Sequence, residues 1–489
     1  MTEPTIFELS SSSRKGFQFP EIDVPLNPLP NKFIRKDLML PELSEQDVVR
    51  HFTHLSQMNY GVDTGLYPLG SCTMKYNPKI NEETARLQGF ALTHPLQPLI
   101  STQGNLYLMY TLQEWLKEIG GFAAVTLQPA AGSQGELVGT LIIKKYLQDQ
   151  GCSKRTKMLI PDSAHGTNPA TSSMSGFDVI SLPSDERGNV DLNSLKVFCN
   201  DELAGLMLTN PNTLGLFDEN LLQVIQIVHK AGGLVYGDGA NFNALLGITR
   251  PGDLGFDIMH FNLHKTFATP HGGGGPGSGP VGVCKKLIDF LPDPLITIIE
   301  EGDDENPPLF GLYHPEKSIG RIKSFYGHFG VLVRAFTYIS MLGAEGLRNV
   351  AEMAVLNANY LLTKLKNTYT LPYDRKCMHE FVLEGVWNDV PYVHALDIAK
   401  RLMDYGFHPP TNYFPLIVHE AIMIEPTETE SIETLDAFAA ALIKIADEAR
   451  KDPQILHTAP HHTPVRRCDE IKAARDLILR CQVHDEKHP

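Results

Sequence analysis

The sequence predicts an α/β protein organised around a mainly parallel sheet. Three observations carry the prediction. Short apolar runs between residues 120 and 285 each end in a polar or Gly-rich loop, helical patterns lie between several of them, and the chemically reactive residues gather in those loops. In open sheets of this kind ligands sit beyond the C-terminal ends of the strands.

The runs, in order, are FAAVTLQPAAG, KMLIPDSAHG, FDVISLPSD, AGLMLTNPNTLG, GLVYGDGA and FDIMHFNLHK. Between them, GELVGTLIIKKYLQDQG sets Leu137, Leu141 and Lys144 or Lys145 on neighbouring helical turns. NLLQVIQIVHKAGG sets Leu221, Val224, Ile225 and Val228 on one stripe before a glycine stop. Residues 1–60 read as an N-terminal arm or, in the plainer reading, an unstructured tail. There a Pro-rich stretch, PEIDVPLNPLPNKF, precedes a helix opened by Ser44 with Glu45 and Asp47 in its first turn. Residues 61–330 are assigned to the large domain and 331–489 to a smaller C-terminal α/β domain. The latter contains TETESIETLDAFAAALIKIADEAR, with Leu435, Phe438, Leu442 and Ile445 on one face and Thr427 and Glu430 at capping-box spacing.

At 489 residues the chain is too long for a single core, and its net charge of −15 argues against a nucleic-acid binder. An anionic ligand is still allowed, because backbone donors can hold one whatever the net charge. The seven cysteines, Cys72, Cys152, Cys199, Cys284, Cys377, Cys468 and Cys481, are odd in number and scattered. Their spacing suggests neither a disulfide framework nor a metal site. The first residues lack a basic start followed by an apolar run, and no window is long and apolar enough to span a bilayer. A cytoplasmic protein without membrane contact is expected.

Four groups of loop residues carry the chemistry. Ala131-Gly132-Ser133-Gln134-Gly135-Glu136 leads into a helix, where small residues and free N–H groups suit a phosphate. It is neither a dinucleotide fingerprint nor a P-loop. Gly237-Asp238-Gly239-Ala240 follows Leu234-Val235-Tyr236, so Asp238 stands at a buried strand end and needs a cationic partner. Phe261-Asn262-Leu263-His264-Lys265-Thr266 runs into a glycine-rich loop from His271 to Pro280, whose conformational cost implies a close backbone approach. A partly buried lysine there could have the lowered pKa that imine chemistry needs. Asp162-Ser163-Ala164-His165-Gly166-Thr167 and Thr209-Asn210-Pro211-Asn212-Thr213 also end apolar runs. His165 could stack on a planar ligand and Thr213 could hydrogen-bond it. Taken singly, each has a plainer reading: a tight turn, an Asp-Gly turn, a solvated lysine, a core histidine.

The order decides between them. Phosphate loop, histidine, strand-end Asp238 and then Lys265, 27 positions further on, resembles the aspartate-aminotransferase-like (fold type I) pyridoxal phosphate enzymes. More specifically, Asn262 to Phe267 with the following PHGGGGPGSGP resembles the glycine cleavage system P-protein, subunit 2 of its two-subunit form. So do NYGVDTGLYPLGSCTMKYNP, QPAAGSQGE, DSAHGTNPA and IEPTETES, spread over essentially the whole chain.

The resemblance implies a pyridoxal 5'-phosphate cofactor carried by Lys265, decarboxylation of glycine, and transfer of the aminomethyl group to the lipoyl arm of H-protein. It implies that Gly132, Ser133 and Gln134 hold the phosphate, His165 stacks on the ring and Thr213 meets the 3-oxygen. Asp238 would pair the ring nitrogen with Ala240 beside it, and His264 would flank the lysine. It also implies a P-protein subunit 1 as partner in an α2β2 heterotetramer. Two alternatives stay open: a fold type I decarboxylase or aldolase for another small amino acid, and a cofactor-binding scaffold subunit. Gly70-Ser71-Cys72-Thr73-Met74-Lys75 reads equally as an element guiding the lipoyl arm and as a structural turn. Arg321, Arg334, Arg466 and Arg467 are all candidates to grip the substrate carboxylate.

Overall fold

The structure, a computed structural model, describes residues 3–35, 38, 40–271 and 277–479. Of the residues singled out above, Gly272–Pro276 and Cys481 lie outside the described residues. The chain divides into two compact units, Met1–Thr64 with Thr458–Pro489, and Gly65–His457.

In the first unit the helix expected after Ser44 is α1 (Glu45–Gln57). The Ser44 hydroxyl accepts from Asp47 N–H while the Asp47 carboxylate accepts from Ser44 N–H, a reciprocal cap that satisfies two donors the helix leaves open.

The second unit holds a seven-stranded sheet. Its strands are β1 (Ala124–Thr126), β2 (Lys157–Pro161), β3 (Asp178–Leu182), β4 (Leu203–Thr209), β5 (Leu234–Gly239), β6 (Ile258–Phe261) and β7 (Val281–Val283). They lie in the order β1-β7-β6-β5-β4-β2-β3. The first six are the six apolar runs read from the sequence. Adjacent pairs among β2 to β6 are parallel; β7 enters antiparallel between β1 and β6. Every residue of β4 is buried, which fits a central strand covered on both faces.

Helix α2 (Gln103–Gly120) precedes the sheet, and α3 (Gly132–Asp149) follows β1 directly. The close seating of α3 on the sheet depends on Gly139, where a Cβ would stand 2.1 Å from the Tyr236 ring. Helix α4 (Thr167–Met174) follows β2, and α5 (Leu221–Lys230) buries the predicted stripe Leu221, Val224, Ile225 and Val228.

Beyond the sheet, β8 (Leu295–Glu300) and β9 (Leu309–Tyr313) form an antiparallel hairpin. Helix α6 (Phe329–Leu365) is broken at Gly343, whose φ is 60°. Its second half packs with a three-stranded sheet, β10 (Phe381–Glu384), β11 (Thr411–Asn412) and β12 (Ala421–Ile424), and with α7 (Ile432–Lys451). On α7 the expected Leu435, Phe438, Leu442 and Ile445 are all buried, each contributing about 1.5–3 kcal/mol. The cap is a correction. It is Ser431, accepting from Thr434 N–H at 3.2 Å, and not Thr427 with Glu430. Thr427 has a φ of 64°, which keeps it out of the helix.

Candidate active site

Loops from the C-terminal ends of β1, β2, β4, β5 and β6 converge on one cavity of ≈ 260 Å³. Gly132, Ser133, His165, Thr213, Asp238, Ala240, His264 and Lys265 all line it, as do Ser71, Glu136, Thr209 and His260. Gln134 stands beside it, its side-chain oxygen accepting from Ala130 N–H at 2.7 Å.

The wall beyond β1 is built for an anion. Ala131 is extended and α3 starts at Gly132, so the N–H groups of Gly132, Ser133 and Gln134 have no partner within the helix. Gly135 is the first to donate back, to Ala131 O. The loop is packed too closely for side chains. A Cβ on Gly132 would stand 2.4 Å from Asn262 Nδ2, and one on Gly279 would stand 2.2 Å from Ala131 O.

Asp238 forms the opposite pole. Its Oδ2 accepts from Asn168 Nδ2 at 3.0 Å and its Oδ1 from Ala240 N–H at 2.9 Å. Burial pushes its pKa up, but His260, the Asn168 bond and Lys265 outweigh this and hold the carboxyl below its ordinary range. His260 itself is held low by burial against the pull of Asp238. The Asn168 and Ala240 bonds, and not a full charge on His260, therefore hold Asp238 in its ionised form. The ring contacts fit the neutral form: Tyr236 hydroxyl lies 2.7 Å from Nδ1 and can donate to it, and Nε2–H can donate to Asn262 Oδ1 at 2.8 Å.

Glu136 is a second buried acid, only 3% exposed. It accepts from Thr167 and Thr171 hydroxyls at 2.8 and 3.3 Å. Burial, then the charge of Asp238, push its pKa to about 7. His165 faces the cavity with Nδ1 3.0 Å from Thr167 Oγ1 and is held low by burial. Thr213 Oγ1 donates to Ser163 O. Thr209 Oγ1 is buried without a hydrogen-bond partner.

Lys265 follows β6, and its Nζ donates to Ser71 O at 2.7 Å. His264 is depressed to about 3 by burial and then by the Lys265 charge, so it is neutral at physiological pH, and its Nδ1 accepts from Ser278 N–H at 3.3 Å. The segment Gly70–Lys75 thus reaches the lysine directly, with Ser71 and Thr73 at φ of 66° and 49°. Lys75 Nζ is turned away into protein, 2.6 Å from Glu428 Oε1. Among the arginine candidates, Arg334 is committed to Glu82 by two bonds of 2.8 Å, and Arg321 lines a separate cavity with Gln128 and Tyr326.

The sequence assigns no individual role to Glu136, His260, Thr209 or Ser71, although each stands in a segment quoted above. Glu136 and His260 were each part of a quoted run, but nothing in either run marks the side chain as cavity-facing. Chemically the arrangement offers an anion site at a helix start, an ionised acid for a cation, an imidazole on the cavity wall at His165 and a primary amine.

Residues 350–461 match the family model described as glycine dehydrogenase, C-terminal domain. The chain is 60% identical over 480 residues to the probable glycine dehydrogenase (decarboxylating) subunit 2 of Alkaliphilus oremlandii, covering 97% of each chain. It is 58% identical over 480 residues to the protein of the same description from Caldanaerobacter subterraneus, covering 97% of this chain and 98% of that one. Its fold is shared with a crystal structure of a glycine decarboxylase (P-protein) of the glycine cleavage system, in inhibitor-bound form. That match has a TM-score of 0.73 at 22% identity and covers 85% of this chain and 93% of that chain.

Proposed function

The chain belongs to the glycine dehydrogenase (decarboxylating) subunit 2 family, and from that premise we propose that it is the catalytic half of a glycine decarboxylase holding pyridoxal 5'-phosphate on Lys265. The observation that carries this reading is the convergence of Lys265, Asp238, His165 and the Gly132–Ser133 helix start on one cavity.

The residues fit the cofactor. The free N–H groups at the start of α3 suit a phosphate ester, and the close packing at Gly132 and Gly279 leaves no space there for a side chain. Asp238, held ionised, suits a protonated ring nitrogen. Thr209 Oγ1, buried without a partner, offers a further polar contact.

When bound, the cofactor supplies an electron-withdrawing ring that takes up the electron pair freed as CO2 departs. The rest is the work of the protein. Lys265, whose amine lines the cavity, would hold the group covalently and would serve as the free amine once substrate is bound. His165 would cover one face of the ring and Thr213 would meet its 3-oxygen, both from the cavity wall. Gly132, Ser133 and Gln134 fix the phosphate end, and Ala240 supports Asp238 through its N–H. His264, being neutral, flanks the lysine without competing with it for a proton. Decarboxylation would be selected over other cleavages where the site holds the substrate's C–carboxylate bond perpendicular to the ring.

In the overall reaction the aminomethyl group passes to a lipoyl sulfur of H-protein as the lipoyl disulfide opens. A subunit 1 completes an α2β2 enzyme, in the cytoplasm. Among the described residues no helix is long and apolar enough to cross a membrane. The test is exchange of labelled bicarbonate into glycine with this chain, its partner subunit and lipoylated H-protein. Exchange that needs all three and disappears with Lys265→Ala supports the reading. No exchange from a protein with bound cofactor would move the assignment to another amino acid.

A further inference from the structure

Behind the Ser71–Lys265 contact lies a cluster the proposed mechanism does not use. His379, Glu380 and Glu425 are each 0% exposed. Glu380 immediately precedes β10 and Glu425 immediately follows β12, and the antiparallel register Phe381↔Ile424 sets them opposite one another. His379 Nε2 lies 3.9 Å from Glu380 Oε1 and 3.8 Å from Glu425 Oε1, and one ligating atom from each residue falls within a 4.8 Å span. Both imidazole nitrogens are buried without a hydrogen-bond partner.

Both carboxylates grip the Gly70–Lys75 segment. Glu380 Oε2 accepts from Ser71 N–H at 2.6 Å. Glu425 accepts from Thr73 N–H at 2.8 Å and from the Thr73 hydroxyl at 2.6 Å. Ser71 then turns its carbonyl to Lys265. Asn241 Nδ2 holds the other Glu380 oxygen at 3.1 Å.

Two carboxylates this close and this dry cannot both ionise at neutral pH. The surrounding charges do not change that. Lys75 is already paired with Glu428, and His379 is held neutral near 3 by burial. Lys265 and Lys75 lower the Glu425 pKa, yet burial still leaves it at about 7. Burial and then the charge of Glu425 keep Glu380 well above its usual range. Cys72, the remaining titratable group on the segment, is pushed up by burial and so stays a thiol.

We propose that Glu380 and Glu425 hold one proton between them, and that the resulting singly charged pair clamps the Ser71–Thr73 backbone across Lys265. They act as positioning residues for the lysine. The consequence for catalysis rests on the proposed role of Lys265; the shared proton does not.

The test is infrared difference spectroscopy of the purified full-length protein against Glu380→Gln and Glu425→Gln at neutral pH. Against the double variant, which cancels other buried acids such as Glu136, one shared proton predicts a protonated-carboxyl stretch that the wild type shows and Glu380→Gln lacks, because burial and then the charge of Glu425 place the proton on Glu380. No such band in the wild type, or one that persists undiminished in Glu380→Gln, would overturn the proposal. So would a stoichiometric divalent metal copurifying with the protein and lost from both variants.

The pH midpoint of the bound cofactor's absorbance gives an independent readout. It should not move in Glu380→Gln, which leaves the single charge on Glu425, and it should fall in Glu425→Gln, where burial keeps Glu380 protonated. In the double variant it should fall by on the order of one unit. A fall in Glu380→Gln would mean the wild-type pair carries two charges. For the clamp, Glu425→Ala should speed amide exchange in the 70–75 segment by about tenfold, one lost hydrogen bond's worth, while Glu425→Gln leaves it nearly unchanged. Equal exchange in all three proteins would remove the clamp. A protein that passes these tests yet fails bicarbonate exchange would refute the proposed function and leave this inference standing.

Discussion

Replacing Lys75 by methionine tests whether the Gly70–Lys75 segment is held by the protein itself. Lys75 is 2% exposed. Its Nζ lies 2.6 Å from Glu428 Oε1, 2.7 Å from Asn243 Oδ1 and 3.0 Å from Thr266 O. Methionine matches the aliphatic stem, so little cavity or overpacking cost arises. What is lost is the charge opposite a Glu428 side chain only 8% exposed. Removing one partner of a buried ion pair costs about 3–5 kcal/mol, because the other charge stays buried and unpaired. Lys75→Met should therefore lower unfolding free energy by roughly that amount in urea denaturation followed by circular dichroism. Adding Glu428→Gln removes the stranded charge, so the double variant should recover about 2 kcal/mol relative to the single one. A single-variant loss below about 1 kcal/mol, or a double variant as unstable as the sum of its singles, would refute the reasoning.

Three further outcomes follow from the site. Gly132→Ala forces Asn262 away from a Cβ at 2.4 Å and should weaken cofactor binding by about ten- to a hundredfold, seen by titrating absorbance, at a stability cost of about 1–3 kcal/mol. Asp238→Asn removes the charge and leaves one oxygen, which can keep the Ala240 N–H while the Asn168 amide turns over to accept from the new NH2; turnover should drop about a hundredfold or more with the circular dichroism spectrum unchanged. Glu136 has a folded pKa raised from 4.5 to about 7. The unfolded chain releases its proton first, so the wild type loses stability as pH rises through that window. Glu136→Gln should therefore be the more stable protein above about pH 7, by roughly 1–3 kcal/mol, with the difference vanishing below about pH 4.5. Equal pH profiles for the two proteins would mean Glu136 is ionised in the fold.

The large sheet was legible because each of its first six strands is an apolar run ending in a polar loop, and the chemistry sits where those loops turn. Lys265, Asp238 and the Gly132 loop are short-range features of that kind. The strand Val281–Val283 escaped because three residues set no period, and its antiparallel insertion beside β6 depends on pairing rather than pattern. The cap of α7 was misplaced because Thr427 and Glu430 imitate the spacing, while the left-handed φ of Thr427 decides otherwise. His260 read as one more strand residue, FDIMHF, although its register opposite Asp238 sets it behind that carboxylate. Ser71, Glu380 and Glu425 reach the neighbourhood of Lys265 from 194, 115 and 160 positions away in the chain. Only the tertiary fold brings them there.

The central claim is that Lys265 carries the cofactor, and borohydride reduction of the purified protein followed by peptide mapping addresses it directly. A stable reduced pyridoxyl adduct on Lys265, absent from Lys265→Ala, is the predicted result. An adduct on a different lysine, or none at all from protein shown to contain the cofactor, would contradict the account.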